Sequence, residues 1–303
     1  MADIEYFDLQ TRKQYDSIDA LFPGWQGPKE TVVFLAPHDD DAILGPGYLV
    51  HATHASSGRV GVIQFCSGDA GYSTMDLKER IVDIRAREME AAMKVVGVTP
   101  EMLLRLDLPD LSLPNFEGRI LPGGREGIFG RLVTTLRKWH ATRLVFANGY
   151  LEHIDHSAVE REALYAGPHA GDDYAPDWAP ASEPIRTYLT YNCWGEFSPM
   201  DAILAERDTG IRANWAIVAS QAVEDRMQEA IRKFQSQGKI IESILLNRQH
   251  RRLAGEPAGY VELYLRVQAR PQLEYAPYRT LVEKIRGRKS APRKGPAKGR
   301  RRK

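Results

Sequence analysis

Three consecutive aspartates, Asp39, Asp40 and Asp41, follow His38 at the end of a short apolar run, "ETVVFLAPH" (30–38). Adjacent carboxylates repel one another, so this run requires a bound cation, a role in proton transfer, or exposure to water. A helix that begins here would also favour acidic residues through its dipole, in which case the turn would need no ligand.

A second polar segment contains His153 and His156 and leads into a predicted helix. With His38 and Asp41, His156 would supply two imidazoles and one carboxylate, a set that suits a catalytic zinc ion with one position kept for water. Asp40 is placed to take a proton from that water, and His153 to protonate a leaving group. Each segment alone is weak evidence, and the two together favour a metal site.

The elements that must position these residues are predicted from the apolar pattern. Apolar runs at 30–38, 59–67, 101–108 and 142–149 indicate buried strands, and helical patterns lie between them, the clearest at 76–97. Strands that alternate with helices predict a mostly parallel sheet covered on both faces, a Rossmann-like three-layer α/β sandwich. In such sheets ligands bind at the carboxyl ends of the strands, where both polar segments lie.

Charge is distributed unevenly along the chain. The 41 Lys and Arg nearly balance the 40 Asp and Glu, yet residues 284–303 hold 11 of the basic residues and no acidic one. This tail, rich in charge, Pro and Gly, is predicted to be disordered, and it either makes a weak contact with an anionic surface or is simply solvated. Residues 1–283 are predicted to form one domain, because no linker of flexible composition divides them.

The two cysteines, Cys66 and Cys193, form neither a disulfide framework nor a CxxC motif, which predicts a cytoplasmic location. No apolar run is long enough to span a bilayer. The charged N-terminal segment lacks the apolar stretch of a secretory signal.

The segment "APHDDDAILGPG" (36–47) resembles the signature of the PIG-L/LmbE-like family of zinc-dependent N-deacetylases, approximately (A/S)PHPDDExxxGxG. The resemblance continues in the same order through "GDAG" (68–71), "IRAREMEAAMKVVGV" (84–98), "HIDH" (153–156) and "KFQSQ" (233–237). It spans roughly residues 31–237, and this ordered set is more specific than any one of its segments.

The resemblance implies an LmbE-like fold and an amidohydrolase that holds one Zn²⁺ per chain. The implied reaction is removal of an N-acetyl group from an N-acetylglucosamine-type sugar or glycoconjugate by metal-activated water, with Asp40 as general base and His153 as acid or electrostatic partner. The implied zinc ligands are His38, Asp41 and His156. The implied substrate contacts are Asp69 and Arg85, together with Glu88, which either touches the substrate or holds Arg85 in place.

Three positions depart from the family pattern. Asp39 replaces the usual Pro, which adds negative charge near the metal and removes a fixed φ. Ala42 replaces the usual Glu. Leu151 stands where the family's oxyanion-assisting Tyr is found in the members that have one, so either Tyr150 takes that role or the metal works without a Tyr.

Two other functions are compatible with these features. A non-haem iron oxygenase also uses two histidines and a carboxylate, although such enzymes are typically built on β-rich scaffolds. A catalytically inactive scaffold could instead bind anionic partners through the basic tail. A homo-oligomer is left open. So is the role of three aromatic residues, which either wall the pocket or pack an irregular insert onto the body: Tyr174, Trp178 and Trp194.

Overall fold

The computed structural model describes residues 3–255 and 257–290. It divides into two compact units, of which the first ends at Ala269 and the second begins at Arg270. The strands are β1 (Ile4–Asp8), β2 (Lys13–Tyr15), β3 (Thr31–Ala36), β4 (Arg59–Cys66), β5 (Leu103–Leu108), β6 (Arg143–Ala147), β7 (Thr187–Tyr191), β8 (Trp215–Ser220) and β9 (Gly259–Val267). The helices are α1 (Asp41–Leu44), α2 (Gly47–Ala55), α3 (Ile81–Val95), α4 (Ile128–Lys138), α5 (Ile154–His169), α6 (Pro199–Leu204), α7 (Gln221–Ile231), α8 (Gly238–Arg248) and α9 (Tyr275–Ser290).

The strands of the described chain form one nine-stranded sheet with the order β2-β1-β8-β9-β7-β6-β3-β4-β5. Strands β7, β6, β3, β4 and β5 run parallel to one another. The other half of the sheet, from β9 to β2, is antiparallel. The predicted mostly parallel sheet is therefore confirmed for the half that carries the polar loops. The sequence did not reveal strands β1, β2 and β8.

The sheet is covered on both faces, as the burial of alternate residues in β3 shows. Val32 and Phe34 belong to one apolar cluster, which also contains residues of α2, α3 and α7. Val33 and Leu35 belong to the other cluster, with residues of α4 and α5. Because successive side chains of a strand point to opposite faces, a strand buried along its whole length must be packed on both sides. The predicted three-layer sandwich is confirmed.

The loops that carry the polar residues meet at one edge of the parallel half. The central strand β3 lies between β4 and β6, and all three run in the same direction. The segments after β3, β4 and β6 therefore leave the sheet side by side, and those after β5 and β7 flank them. This convergence of carboxyl ends is the usual place for a ligand in an open α/β sheet.

A close contact fixes the start of α2 against the neighbouring strand. A Cβ atom at Gly45, between α1 and α2, would lie 2.1 Å from Cδ2 of Tyr191 at the end of β7. The Tyr191 hydroxyl donates a hydrogen bond to the carbonyl of Leu35 in β3, at 2.9 Å. Gly45 is thus needed for the approach of β7 to the turn that carries the three aspartates.

The second compact unit contains α9, and this changes one expectation about the tail. Residues 284–290, predicted to be disordered, form the C-terminal part of this helix. Arg and Lys make up five of the 16 residues of this helix, and both residue types favour helical structure locally. Residues 291–303 lie outside the described residues, and the domain limit at 283 stays a prediction. None of the described helices has the length and apolar character needed to cross a membrane.

Candidate active site

His38 and Asp41 lie on the turn between β3 and α1, and their side chains are in contact. The Asp41 carboxylate accepts a hydrogen bond from the backbone N–H of His38, at 2.8 Å from Oδ2. The same oxygen lies 3.1 Å from His38 Nδ1. The chain must fold back within three residues to make both contacts, so the turn orients the two side chains together.

His156 reaches the same carboxylate from the first turn of α5. Its Nε2 atom lies 3.2 Å from Asp41 Oδ2. Within the described chain this buried nitrogen has no hydrogen-bond partner. One ligand atom from each of His38, Asp41 and His156 lies within 4.8 Å of the others. The structure therefore brings together the three residues that the sequence singled out as candidate metal ligands.

The electrostatics of this group favour a positive charge at its centre. Burial alone would lower the pKa of His156, but the negative charge of the adjacent Asp41 and the hydrogen bond with Glu152 outweigh it and raise that pKa to about 9. Burial alone would raise the pKa of Asp41, and the two histidines reverse this and hold it well below its usual range. A site that retains protons in this way is one that a divalent cation would also satisfy.

Glu152, which sequence reasoning missed, fixes the orientation of His156. Its Oε2 lies 2.6 Å from His156 Nδ1, and its side chain is fully buried. Since a carboxylate only accepts, Nδ1 carries a proton, and Nε2 is the nitrogen that faces Asp41. A carboxylate on the second nitrogen of a histidine is the usual partner of a metal-ligating imidazole. The signal in the sequence was an acidic residue four positions before His156.

The turn after β7 contacts both Glu152, which orients His156, and the candidate ligand Asp41. The second oxygen of Glu152 accepts hydrogen bonds from the backbone N–H groups of Cys193, Trp194 and Gly195, at 3.0, 3.1 and 2.8 Å. The Cys193 thiol lies 3.2 Å from Oδ1 of Asp41. Asp41 thereby receives a donor on the oxygen that does not face the histidines, a contact that no sequence motif indicated.

Asp155 orients the other histidine from the opposite side. It is buried, accepts hydrogen bonds from the backbone N–H groups of Leu111 and Leu113, and lies 3.3 Å from His38 Nε2. Burial would raise the pKa of Asp155, but the hydrogen bonds from His38 and the two amides bring it to about 2. His38 thus donates Nε2–H to Asp155, and Nδ1 is the nitrogen that faces Asp41. The thiol of Cys66 lies 3.5 Å from the same carboxylate.

The proposed general base, Asp40, lines the cavity in front of the three candidate ligands. It is 8% exposed. Burial, together with the negative charge of Asp41, raises the pKa of Asp40 to about 7. A carboxylate with a pKa in this range can both take and return a proton near neutral pH.

Asp39 adds no free negative charge to the site, which corrects the expectation from sequence. Its carboxylate is fully buried and forms a two-pronged ion pair with Arg85 of α3, so the two charges compensate each other. Arg85 also lies 3.9 Å from Asp40, and its Nη1 is buried without a hydrogen-bond partner among the described residues. The residue that replaces the family's Pro is thus neutralised by a residue predicted to contact substrate.

His153 lies beside the three candidate ligands and also lines the cavity. Its ring packs edge-on against His38 with 4.7 Å between centroids, and its Nδ1 accepts the backbone N–H of Asp155 at the start of α5. Burial and the positive charge of His38 lower the pKa of His153. Because Nδ1 is occupied as an acceptor, Nε2 is the atom available for chemistry.

The structure gives two of the predicted substrate contacts other partners. Asp69 is exposed and outside the cavity lining, and its carboxylate accepts from the Ser67 hydroxyl and the Asp110 backbone N–H. Glu88 accepts the backbone N–H and hydroxyl of Ser236, both at 2.7 Å. Both side chains hold loops in place, and their assignment to substrate stays a prediction.

The three candidate ligands line a cavity of about 520 Å³ together with Asp40, Arg85 and His153. Of the aromatic residues in the insert, Trp194 lines it. Trp178 and Tyr174 instead pack against each other, and Trp178 against Phe129 of α4. Leu151 lines the cavity as well, whereas Tyr150 is not among the lining residues.

Comparison with known proteins is consistent with this geometry. Residues 33–166 match the PIG-L family, described as GlcNAc-PI de-N-acetylase. No curated protein matches the sequence.

Three solved structures resemble the chain over 82% of its length. The conserved protein TT1542 from Thermus thermophilus has a TM-score of 0.58, 20% identity and 97% of its own chain covered. N,N'-diacetylchitobiose deacetylase from Pyrococcus horikoshii has a TM-score of 0.58 and 18% identity, with 89% of its own chain covered. GalB, the 4-carboxy-2-hydroxymuconate hydratase from Pseudomonas putida, has a TM-score of 0.56 and 17% identity, with 100% of its own chain covered. One of these similar structures is a deacetylase and another is a hydratase, so the fold alone does not determine the reaction.

Proposed function

Residues 33–166 match the PIG-L family model, and from this match we propose that the chain is a zinc-dependent N-deacetylase. This amidohydrolase would remove an acetyl group from an N-acetylglucosamine-type sugar or glycoconjugate. The family description and the chitobiose deacetylase among the similar structures support this class of reaction.

The buried Nε2 of His156 carries the proposal. Within the described chain it has no hydrogen-bond partner, although its ring is oriented by Glu152 and it faces Asp41. A buried imidazole nitrogen left without a partner is costly unless a ligand occupies it. Two imidazoles and one carboxylate with oriented outer partners fit a catalytic zinc ion, which would be held by His38, Asp41 and His156.

Zinc, when bound, would supply a Lewis acid and lower the pKa of a bound water to about 7. The protein groups around it then divide the proton transfers. Asp40 would accept a proton from the attacking water, and its raised pKa matches that task. His153 would stabilise the developing negative charge or deliver a proton to the departing nitrogen through Nε2.

The balance of the reaction is that of amide hydrolysis. The oxygen of water bonds to the acetyl carbon, the C–N bond breaks, and the products are acetate and a free amine. Asp40 removes one proton from water, and the leaving nitrogen gains one. No oxidant is consumed, which separates this proposal from the oxygenase alternative.

We test the proposal by metal content and product release from the full chain, comparing wild type with Asp41→Ala, Asp40→Asn and, as a control, the exposed Asp208→Ala. Wild type and control should hold one zinc and release acetate and amine in equal amounts from N-acetylated amino sugars. Asp41→Ala should lose the metal. Asp40→Asn should keep it but lose about 10²- to 10⁴-fold in kcat.

Three results would count against the proposal. Full activity in Asp41→Ala would remove the metal assignment. Bound iron with oxygen consumption would favour the oxygenase. Hydration of an unsaturated acid with the acetamide left intact would favour a hydratase.

The cytoplasmic location and the oligomeric state stay predictions. Cys66 and Cys193 are both free thiols, as expected of a protein in a reducing compartment.

A further inference from the structure

The mouth of the catalytic cavity carries three large apolar side chains that are open to solvent. Leu151 is 83% exposed, Trp194 56% and Ile240 51%, and all three line the cavity. They come from three separate parts of the chain: the loop before α5, the turn after β7 and helix α8. We call these three residues the apolar lip.

The backbone of two lip residues is constrained. Leu151 has a φ of 53°, a left-handed conformation that a bulky residue rarely adopts. The backbone N–H of Trp194 is fixed by the buried Glu152. Exposed apolar side chains that are grouped at the entrance of a site mark a binding surface, and the left-handed backbone of Leu151 directs one of them there.

The charges of the cavity restrict what can lie against this lip. Four carboxylates line the cavity: Asp40, Asp41, Asp110 and Glu152. Among its described lining side chains the sole arginine or lysine is Arg85, which is paired with Asp39. Even with a divalent cation bound at the floor, the described lining of the mouth offers no free Lys or Arg for a phosphate or carboxylate on the substrate.

We propose that the apolar lip binds an uncharged apolar aglycone, an alkyl or aryl group attached to the amino sugar. This rests on the proposed function, because a substrate whose acetamide reaches His38, Asp41 and His156 must extend outward past the lip. Apolar surface on the aglycone and on the three side chains would then be removed from water together. The lip selects among substrates and takes no part in the chemical step.

The test compares zinc-loaded full-length protein on N-acetylglucosamine, its hexyl β-glycoside below the micelle concentration, and its 1-phosphate, by acetate release. Wild type should show a kcat/KM for the hexyl glycoside at least about tenfold above the free sugar, as for a modest apolar contact. The 1-phosphate should fall below the free sugar. Leu151→Asn, which tolerates the left-handed backbone, and Trp194→Ala should each bring the ratio of kcat/KM for the hexyl glycoside to that for the free sugar close to one.

The matched control is Leu246→Asn, since Leu246 is 71% exposed on the same helix as Ile240 and does not line the cavity. It should keep the hexyl preference. Equal kcat/KM values for the hexyl glycoside and the free sugar, or a preference for the 1-phosphate, would contradict the proposal that the apolar lip binds an apolar aglycone.

A second measurement separates failure of the lip from failure of the proposed function. Calorimetric binding of hexyl β-glucoside, which has no amide, should be detectable in wild type and weakened in Leu151→Asn. If no sugar is deacetylated but this binding is seen, the proposed reaction is wrong and the proposal that the lip binds an apolar aglycone is supported. If neither variant nor wild type binds the glucoside, the lip is wrong whatever the reaction.

Discussion

Glu152 divides its two carboxylate oxygens between a candidate metal ligand and the turn that follows β7. One oxygen accepts from His156 Nδ1, and the other accepts three backbone N–H groups. A buried carboxylate that accepts this many hydrogen bonds is held rigidly, so it should fix the imidazole that it contacts. Its effect on the metal is therefore indirect, through the position and basicity of His156.

Replacing Glu152 by Gln should weaken zinc binding more than it weakens the fold. The amide keeps the shape of the side chain but loses the charge that holds the Nδ1 proton, and the loss of such an outer partner typically costs about 10- to 100-fold in metal affinity. Competition with a chromogenic chelator at fixed pH measures this affinity directly. Zinc affinity equal to wild type in Glu152→Gln would contradict the assigned role.

Two comparisons make that measurement specific. Glu117→Gln removes one partner of the more exposed ion pair with Arg161 and should leave zinc affinity unchanged. Glu152→Ala also leaves three backbone N–H groups unpaired, so it should lower the thermal midpoint as well as zinc affinity.

At the scale of elements, a buried polar network links α2 to α7 and α8 behind the site. Glu224 of α7 forms a two-pronged pair with Arg248 of α8, at 2.9 and 2.6 Å, and accepts the Tyr48 hydroxyl of α2 at 2.5 Å. Glu262 of β9 accepts the Tyr48 backbone N–H at the start of α2. These contacts set the position of α2, which follows the three aspartates within a few residues.

Replacing Glu224 by Gln should destabilise the fold by about 3–5 kcal/mol, because it leaves the buried Arg248 guanidinium without its partner. Urea unfolding of wild type and variant at pH 7 gives this difference. The matched control is Glu229→Gln on the same helix, whose pair with Lys233 is exposed and should contribute less than about 1 kcal/mol. Equal losses of unfolding free energy in the two variants would show that the buried network stabilises the fold no more than an exposed ion pair does.

The same network predicts a pH dependence of stability. Burial would raise the pKa of Glu224, but the hydrogen bonds and charge of Arg248 outweigh it, and the pKa in the folded state lies below its usual value. The stabilisation is therefore complete above the pKa of the unfolded chain and is lost as pH falls through the folded one. Unfolding free energies below neutral pH should fall less steeply in Glu224→Gln than in wild type, and an unchanged slope would count against this contribution.

At the scale of the whole molecule, the concentration of positive charge in residues 284–303 sets the tail apart from the unit that holds the candidate site. All the candidate site residues precede Ala269, where the first compact unit ends. The basic residues of the tail attract anionic surfaces through a long-range field that salt screens. The charged tail and the cavity of the candidate site should therefore be separable in function.

Deleting residues 284–303 should abolish retention on an anionic resin at low salt without changing zinc content. Retention of wild type should fall steeply with added salt, since it depends on screened charge. A variant with every Lys and Arg of 284–303 replaced by Gln keeps the length and should behave like the deletion. Undiminished retention of both variants would place the anion-binding surface elsewhere on the chain.

The sequence by itself determined the parallel half of the sheet and the three candidate ligands. Continuous apolar runs specify strands buried on both faces, and the spacing of His38 to Asp41 and of His153 to His156 places each pair on a short local turn. These are local relations, so pattern and periodicity are sufficient to read them.

Only the tertiary structure decided what surrounds those residues. Glu152 and Cys193 are neighbours because β7 pairs with β6, and Asp39 and Arg85 are neighbours because α3 packs beside the turn after β3. The partners are 41 and 46 positions apart. The structure likewise gives Asp69 a role in holding its loop and leaves Leu151 exposed at the mouth of the cavity. Contacts between distant segments depend on how whole elements pack, and neither hydrophobic period nor motif spacing encodes that packing.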